Sequence, residues 1–374
     1  MSDEGASARL KNAPSPDDPR KPDGPTDMSK RSWFYVLRKT LREFTSDQCT
    51  DIAASLVYFS VLAIFPAMLA LVSLLGVVGQ GEKSISTIFS TLKSAGVGSS
   101  LNVIRAPLEQ FASSPAAGLG LITGIVLAVW SASGYIGAFS RGMNRIYNID
   151  EGRPVWKMRP MQLIVTIIII LLVLVMVLAL IISGPITTAI GNAIGLGSTV
   201  QFVWSIIKWP ILAIAVILMI AVLFYATPNV KQPKFRWVSL GSVVALVVLL
   251  IASAAFAFYI ANFSNYNKTY GSFAGVIIFF LWLWIANNAL LFGAEFDAEI
   301  ERGRELQAGI AAEENIQLPP RDARKSEKAE KKRQKDIDMG RDIRESAARS
   351  SSDSDGDAKE TSGGSSNRRG GSSR

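Results

Sequence analysis

The sequence predicts an all-α membrane protein, folded as a bundle of six transmembrane helices. Three observations support this fold class: six long apolar runs, an alternating distribution of Lys and Arg between them, and polar segments at both ends of the chain. About 20 apolar residues at a rise of 1.5 Å per residue span the hydrocarbon core of a bilayer. The clearest run, residues 163–182, contains one hydroxyl group, on Thr166, and no charge.

The apolar runs divide the 374-residue chain into one membrane domain and two tails. The predicted spans are residues 52–78, 119–139, 163–182, 209–226, 237–261 and 273–294. The membrane domain covers residues 31–300. Residues 1–30 are rich in Pro, Asp and Ser, which predicts a disordered N-terminal tail. Residues 301–374 lose the apolar periodicity and predict a disordered cytoplasmic tail that is basic and then rich in Ser and Gly.

The distribution of positive charge predicts the orientation of the bundle. Lys and Arg number nine up to residue 50, then three, five, one, three and one in the successive loops, and seventeen in the C-terminal tail. Cytoplasmic loops of membrane proteins carry the excess of Lys and Arg. We therefore predict a multi-pass protein with both termini in the cytoplasm, and the even number of spans independently places them on one side.

The composition excludes much of the usual catalytic chemistry. The chain has no histidine, and histidine is the common general base near neutral pH and the commonest metal ligand. Its single cysteine, Cys49, cannot form an internal disulfide or a zinc site by itself. We find no phosphate-binding loop, no nucleophile elbow and no cluster with metal-ligand spacing. The sequence therefore predicts no catalytic residue, no metal, no cofactor and no specific nucleic-acid partner.

An amphipathic helix precedes the first span, and we predict Ser32 as its N-cap. The shared apolar face of this helix consists of Trp33, Leu37, Leu41 and Phe44. A basic amphipathic helix with aromatic anchors lies flat on the anionic cytoplasmic leaflet, which would place Trp33 to Phe44 against lipid headgroups. Packing of this helix against the cytoplasmic end of the bundle is the alternative.

The C-terminal tail carries a second basic stretch. Arg321 to Lys335 contains eight basic and three acidic residues. This stretch can bind anionic lipid headgroups on the cytoplasmic side. The alternative is a solvated tail that only keeps the protein oriented.

Two residues of the first span are candidates for a cavity. Pro66 lies in the middle of the span, removes a backbone donor and is expected to kink or break the helix. Broken helices of transporters direct backbone groups at substrate, whereas a passive kink needs no ligand. Tyr58 is a candidate for supplying a hydroxyl group to the cavity, or else an interfacial anchor.

Polar residues inside the last span form the other candidate. Asn287 and Asn288 lie within it, and Glu295 follows its end. Asn288 and Glu295 are seven residues apart and share one helix face with Trp284. A lipid-facing amide is costly, so we expect this face to point into the bundle. It then forms either interhelical hydrogen bonds or a site for a substrate or lipid headgroup.

Several short motifs occur in a characteristic order. They are Ala53-Ala54-Ser55-Leu56-Val57-Tyr58-Phe59-Ser60 with Phe65-Pro66, Asn144-Arg145-Ile146-Tyr147 with Arg153-Pro154, Tyr225-Ala226-Thr227-Pro228-Asn229, Tyr270-Gly271 with Trp282-Leu283-Trp284, and Gly293-Ala294-Glu295-Phe296. Over about residues 33–300 they resemble the YihY/BrkB family of bacterial inner-membrane proteins. The resemblance marks Asn144, Tyr147, Pro228, Tyr270, Gly271 and Gly293 as structural motif residues.

The resemblance implies six transmembrane helices, a bacterial plasma membrane and a poorly defined role. Some members are labelled ribonuclease BN and others virulence factor. The nuclease label lacks support here, because the chain has no histidine and no carboxylate cluster for catalytic metals.

Three functions remain after the sequence analysis. The favoured one is a transporter or translocator, on the basis of the kinked first span, the polar face of the last span and the three-plus-three arrangement of spans. Because no span has a charge at its centre, a neutral, amphiphilic or lipid-like cargo is favoured over a metal ion. The second is a non-enzymatic scaffold that binds envelope proteins, and the third is a membrane-embedded enzyme. Homo-oligomers and envelope protein partners stay open.

Overall fold

The computed structural model of the chain describes residues 12–77, 117–181, 197–233, 235–262 and 274–363. We number the α-helices in these ranges in chain order. They are α1 (Lys30–Ser46), α2 (Cys49–Val77), α3 (Ala117–Ile146), α4 (Val155–Ile181), α5 (Gly197–Ala226), α6 (Phe235–Asn262), α7 (Ala274–Gln307) and α8 (Arg324–Gly363). The described residues form no β-strand, which confirms the all-α prediction.

Helices α2 to α7 correspond one by one to the six predicted spans. Five of them, α3 to α7, are long and apolar enough to cross a membrane. Helices α1 and α2 meet at an angle of 62° and together form a sixth candidate. The bend lies at Gln48, whose φ of 56° is left-handed. The part of the chain that the structure describes therefore has five or six spans.

Each of these helices exposes apolar side chains on its outer surface. On α4 the exposed residues include Ile164, Ile167, Leu171 and Leu174. A water-soluble monomer rarely exposes so continuous an apolar surface, whereas lipid tails solvate it without cost. The larger of two clusters of buried side chains includes Leu56, Phe139 and Phe224 and lies mainly between α2, α3, α5 and α7.

Several helices extend past the predicted spans at one end of the bundle. Helix α3 continues to Ile146, and α7 continues from the predicted end at residue 294 to Gln307. Hydropathy identifies the apolar part of a helix that suits the bilayer, so it does not detect polar helical turns beyond that part. We call this end, formed by residues 147–154, residues 227–233 and residues 295–307 of α7, the polar end.

Helices α6 and α7 cross at backbone contact. A Cβ atom added to Gly293 of α7 would lie 2.5 Å from the carbonyl oxygen of Gly241 on α6. One on Gly241 would lie 2.4 Å from the carbonyl oxygen of Gly293. Small residues allow such close approach of membrane helices, so both positions exclude a side chain.

Helix α1 packs against the polar end of α7. The ring of Trp33 stacks on Phe296 with centroids 6.3 Å apart, and Val36 is buried there. Its outer side exposes Phe34, Leu37 and Leu41. The helix starts at Lys30, and Ser29 accepts a hydrogen bond from the amide of Ser32. The N-cap is therefore Ser29 and not the predicted Ser32, because the helix starts three residues earlier.

The C-terminal region differs from the predicted disordered tail. Residues 308–323 pack along the polar end, and Arg324–Gly363 is helical. Residues 324–345 of helix α8 are rich in Lys, Arg and Glu, which favour helix, and carry i,i+3 ion pairs such as Arg341–Asp338. The polar composition of the tail predicts that it has no packed core of its own. A helix surrounded by water does not need such a core. Residues 1–11 and 364–374 lie outside the described ranges.

Candidate functional site

A pocket of about 230 Å³ lies between helices α2, α3, α4 and α5. Its lining residues are Ser60, Ala63, Ala132, Tyr135, Ile136, Thr166, Ile169, Ile170 and Leu223. Apart from three hydroxyl groups, the lining is apolar, and no ionisable carboxylate or amine belongs to it. A pocket with apolar walls and few polar groups suits a hydrocarbon chain or a ring of moderate size.

The hydroxyl groups of the pocket already donate within the protein. Ser60 donates to the carbonyl of Leu56 over 2.9 Å, and Thr166 donates to the carbonyl of Gln162 over 2.7 Å. Each is the i−4 bond that Ser and Thr form inside helices. Their remaining lone pairs can only accept hydrogen bonds, so the pocket offers weak polar recognition and mainly apolar contact.

Tyr135 connects the pocket to the polar residues predicted on the last span. Its hydroxyl group donates to Oδ1 of Asn287 over 2.9 Å, and the Asn287 amide donates to the carbonyl of Leu283 over 2.8 Å. The structure therefore places Asn287 in an interhelical hydrogen bond that holds α3 and α7 together behind the pocket wall.

The predicted face of α7 lies beside the start of α2. The indole of Trp284 donates to the carbonyl of Thr50 over 3.2 Å, and the Cys49 thiol lies 3.9 Å from Oε2 of Glu295. The Asn288 amide donates back to the carbonyl of Trp284 over 2.8 Å. On this face Glu295 is buried whereas the side chain of Trp284 is 38% exposed, and none of these residues lines the pocket.

The candidates of the first span contribute less. The side chain of Tyr58 is 61% exposed on the outer surface and contacts Phe59 by its ring edge. Helix α2 runs through Pro66 without a break, because other helices and local adjustment can satisfy the carbonyl that a proline frees. The side chain of Pro66, together with Tyr270 and Gly271, lies outside the described residues.

A polar network lies next to the pocket on the side of the polar end. The Arg153 guanidinium forms two hydrogen bonds with Glu151, of 2.8 Å and 2.6 Å, and one to the carbonyl of Thr227 over 2.8 Å. It also donates to the Ser140 hydroxyl over 3.1 Å. Burial opposes ionisation of Glu151, but the hydrogen bonds from Arg153 outweigh it and lower the pKa of Glu151. The network is therefore an ion pair that joins α3, α5 and the loop between α3 and α4.

The motif residue Asn144 links this network to the next loop. Its amide donates to Glu151 over 3.0 Å, and its oxygen accepts from the backbone amide of Asn229 over 2.7 Å. Pro228, beside Asn229, is buried, and the Tyr147 hydroxyl lies 3.4 Å from Oε1 of Gln232. These motif residues hold the two described loops of the polar end together.

Residues after α7 complete the polar end. The side chain of Asn229 donates to the carbonyl of Asp322 over 2.9 Å and accepts from its amide over 3.2 Å. Arg321 donates to the carbonyls of Tyr225, Ala226 and Val230. Asp322 pairs with Arg324, and hydrogen bonds from Arg324 hold the pKa of Asp322 well below its usual value against the effect of burial.

A second ionic cluster surrounds the end of α7. The Lys21 ammonium, fully buried, lies 2.7 Å from Glu301 and 3.2 Å from Glu305. Arg304 pairs with Glu301 and donates to the carbonyl of Pro22. The sequence does not predict this cluster, because Lys21 belongs to a segment whose composition predicts disorder. The described ranges contain no group of three or more His, Cys, Asp or Glu residues placed to hold a metal ion.

Comparison with known proteins identifies the family. The model of the family described as virulence factor BrkB matches residues 40–316. The chain is 26% identical over 270 residues to the ribonuclease-like protein YfkH of Bacillus subtilis, covering 72% of this chain and 96% of that protein. It is 28% identical over 274 residues to a UPF0761 membrane protein of Alcanivorax borkumensis, covering 70% of this chain and 59% of that protein. No solved structure matches the chain. The chain therefore belongs to the virulence factor BrkB family of bacterial membrane proteins.

Proposed function

We propose that this protein is a plasma-membrane translocator of an amphiphilic, lipid-like molecule, and that the pocket between α2, α3, α4 and α5 holds the apolar part of the cargo. The observation that supports this proposal is the lining of the pocket, which presents apolar side chains and three hydroxyl groups between four of the helices. An ion would need charged or carbonyl ligands that the lining does not present. A hydrocarbon chain needs only the apolar walls.

The arrangement around the pocket supports binding rather than catalysis. The lining hydroxyl groups donate hydrogen bonds to helix carbonyls or to Asn287, so none is activated by a neighbouring base. We accordingly propose a non-enzymatic role. The ribonuclease-like name belongs to the Bacillus relative, and the chemistry of the described residues gives no independent reason to transfer it.

Lipid-scrambling measurements test the proposal. Purified full-length protein is reconstituted into liposomes with a trace of fluorescent phospholipid, and dithionite quenches the label in the outer leaflet. Ala132→Trp fills the pocket from α3, whereas Val126→Trp adds the same ring on the lipid-exposed side of the same helix. We expect the wild type and Val126→Trp to expose more than half of the label to dithionite, and Ala132→Trp to behave like protein-free liposomes.

Two results would contradict the proposal. If the wild type quenches no more than protein-free liposomes, or if both tryptophan variants keep the full wild-type rate, the pocket does not carry lipid. Equal amounts of folded protein, measured by gel filtration in detergent, serve as the control for both variants.

A scaffold is the second candidate, and helix α8 is the observation that favours it. Residues 328–349 of α8 are exposed along their whole length, so this surface is available to another protein. Deletion of residues 324–374 leaves the docked segment 308–323 in place. A scaffold should lose its cellular function on this deletion, whereas a translocator should keep its scrambling activity.

We further propose that the polar end faces the cytoplasm, as the excess of Lys and Arg predicts. The exposed apolar side chains of α1 then lie in the headgroup region, and the basic start of α8 lies near anionic lipids. Ser346→Cys on exposed α8 tests the orientation. A membrane-impermeant maleimide should label it in inverted vesicles and not in whole spheroplasts, and the reverse pattern would place the polar end outside.

A further inference from the structure

Two buried polar atoms beside the pocket have no hydrogen-bond partner. They are Nη1 of Arg153 and Oε1 of Gln162. The two residues are only 5% and 3% exposed. A buried polar group without a partner is unfavourable, so an unmet donor and an unmet acceptor in one region point to a missing ligand group.

Both residues lie one helical turn from the pocket. Gln162 precedes the lining residue Thr166 by four residues on α4. Ser140, which binds Arg153, follows the lining residue Ile136 by four residues on α3. Four residues of helix advance about 6 Å. The unpartnered atoms therefore lie about one turn beyond the pocket, towards the polar end.

Gln162 and the Arg153 network also share a helix interface. A Cβ atom added to Gly137 of α3 would lie 3.1 Å from Nε2 of Gln162, so the amide fits against α3 at that glycine. Gly137 is one turn before Arg141 and three residues before Ser140. The amide of Gln162 and the guanidinium of Arg153 thus border the same stretch of α3.

The charge of this region favours an anion. Glu151 neutralises Arg153, but Arg321 adds a second guanidinium whose three nitrogens all donate to backbone carbonyls. Burial, and then the nearby charge of Arg153, lower the pKa of Arg321. Asp322 adds a second carboxylate, and its partners are Arg324 and Lys157. The positive charges at this level of the bundle therefore outnumber the carboxylates.

We propose that Arg153 and Gln162 form a headgroup subsite for an amphiphile that carries a phosphate monoester. This proposal rests on the proposed function, because the apolar chain of the ligand occupies the pocket. An ionised phosphate oxygen accepts a hydrogen bond from Nη1 of Arg153, and the P–OH group of the monoanion donates to Oε1 of Gln162. One group thereby satisfies both unpartnered atoms and the surplus charge.

Native mass spectrometry of the detergent-solubilised full chain tests the subsite. The probes are dioctanoyl phosphatidic acid, dioctanoylglycerol with the same chains and no phosphate, and inorganic phosphate. We expect phosphatidic acid to bind at least about tenfold more tightly than dioctanoylglycerol, which corresponds to one charge-assisted hydrogen bond. Inorganic phosphate at the same concentration should neither bind nor compete, because it lacks the chain.

Variants of Gln162 separate the headgroup from the chain. Gln162→Glu puts a carboxylate at the subsite and should remove the preference for phosphatidic acid while leaving dioctanoylglycerol bound. Gln334→Glu makes the same change on exposed α8 and should leave both affinities unaltered. Gln162→Met removes the amide without adding charge, should lose the preference as well, and replaces the first variant if that variant does not fold.

Each remaining result overturns a defined part of the argument. Equal affinity of the wild type for both lipids, or a full preference retained in both Gln162 variants, refutes the headgroup subsite and leaves the pocket intact. Competition by inorganic phosphate alone would show an anion site that needs no chain. Failure of both lipids to bind would refute the proposed function together with the subsite.

Discussion

The buried Lys21 ammonium makes a sharp prediction about how the N-terminal segment is held. Lys21→Met keeps most of the side-chain volume and removes the charge that faces Glu301 and Glu305 on α7. We expect the N-terminal segment to detach from the polar end far more often than in the wild type, because the variant leaves a carboxylate buried without its cation.

The magnitude follows from the contacts that remain. Removing one partner of a buried ion pair costs about 3–5 kcal/mol. Glu301 keeps Arg304, and Glu305 keeps the backbone amide of Gln317 at 2.8 Å. The cost should therefore lie near the lower limit, about 3 kcal/mol, which is about a hundredfold change in the population of the detached state.

Lys39→Met is the matched control. Lys39 lies 2.6 Å from Glu43, as close as Lys21 lies to Glu301, but this pair is partly exposed and lies within one helix. Such i,i+4 pairs contribute about 0.3–0.5 kcal/mol. The comparison keeps the distance and the substitution constant, and it contrasts a buried contact between distant segments with a partly exposed contact inside one helix.

Hydrogen exchange followed by mass spectrometry measures the detached population. In residues 18–28, the backbone amide of Lys21 donates to the carbonyl of Asp18. Amide exchange in these residues should accelerate about a hundredfold in Lys21→Met and less than threefold in Lys39→Met. Adding Glu305→Gln to Lys21→Met should recover part of the protection. Similar exchange in both single variants would show that the buried pair does not hold the segment.

Three further predictions concern packing, hydrogen bonding and pH. Gly293→Ala should lower stability by about 1–3 kcal/mol in thermal unfolding, since its Cβ atom would collide with α6, whereas Gly275→Ala, with open space around it, should not. Tyr135→Phe should cost about 1 kcal/mol through its lost interhelical hydrogen bond, and exposed Tyr58→Phe should be neutral in the same assay. Asp322 has a lowered pKa, so its stabilisation is complete above its ordinary value of 3.8 and is lost as the pH falls through the folded value. Protection of residues 316–323, measured as the exchange rate relative to the intrinsic rate at each pH, should fall with acid in the wild type and show less pH dependence in Asp322→Asn.

The spans were predictable from the sequence because hydropathy reports the solvent around a helix. The helix ends at the polar end were not predictable from hydropathy, and α7 shows why. Residues 295–307 of α7 contain five acidic side chains that hydropathy treats as a terminus. Three of them, Glu299, Glu301 and Glu305, stay helical and buried because Arg302, Arg304 and Lys21 pair with them. Lys21 is 280 residues away from Glu301 in sequence, so no local pattern predicts this contact.

The candidate site was predictable only in part, for a similar reason. The cost of an amide in lipid placed Asn287 inside the bundle, but no spacing rule pairs it with Tyr135, 152 residues earlier. Arg153 belongs to a quoted motif, and Gln162 directly precedes the clearest apolar run. Their missing hydrogen bonds appear only in three dimensions, because a sequence shows which polar atoms exist and not which of them are satisfied.

The docking of residues 316–323 has a consequence for chimeric proteins within this family. The family match ends at residue 316, just before Asp322, whose carbonyl oxygen would lie 1.9 Å from a Cβ atom on Gly152. A membrane domain transplanted at residue 316 would carry Gly152 and Asn229 into the hybrid but leave their backbone partners behind. Exchanges between relatives should therefore be joined after residue 323, so that Gly152 and Asn229 are transferred together with residues 316–323, which they contact.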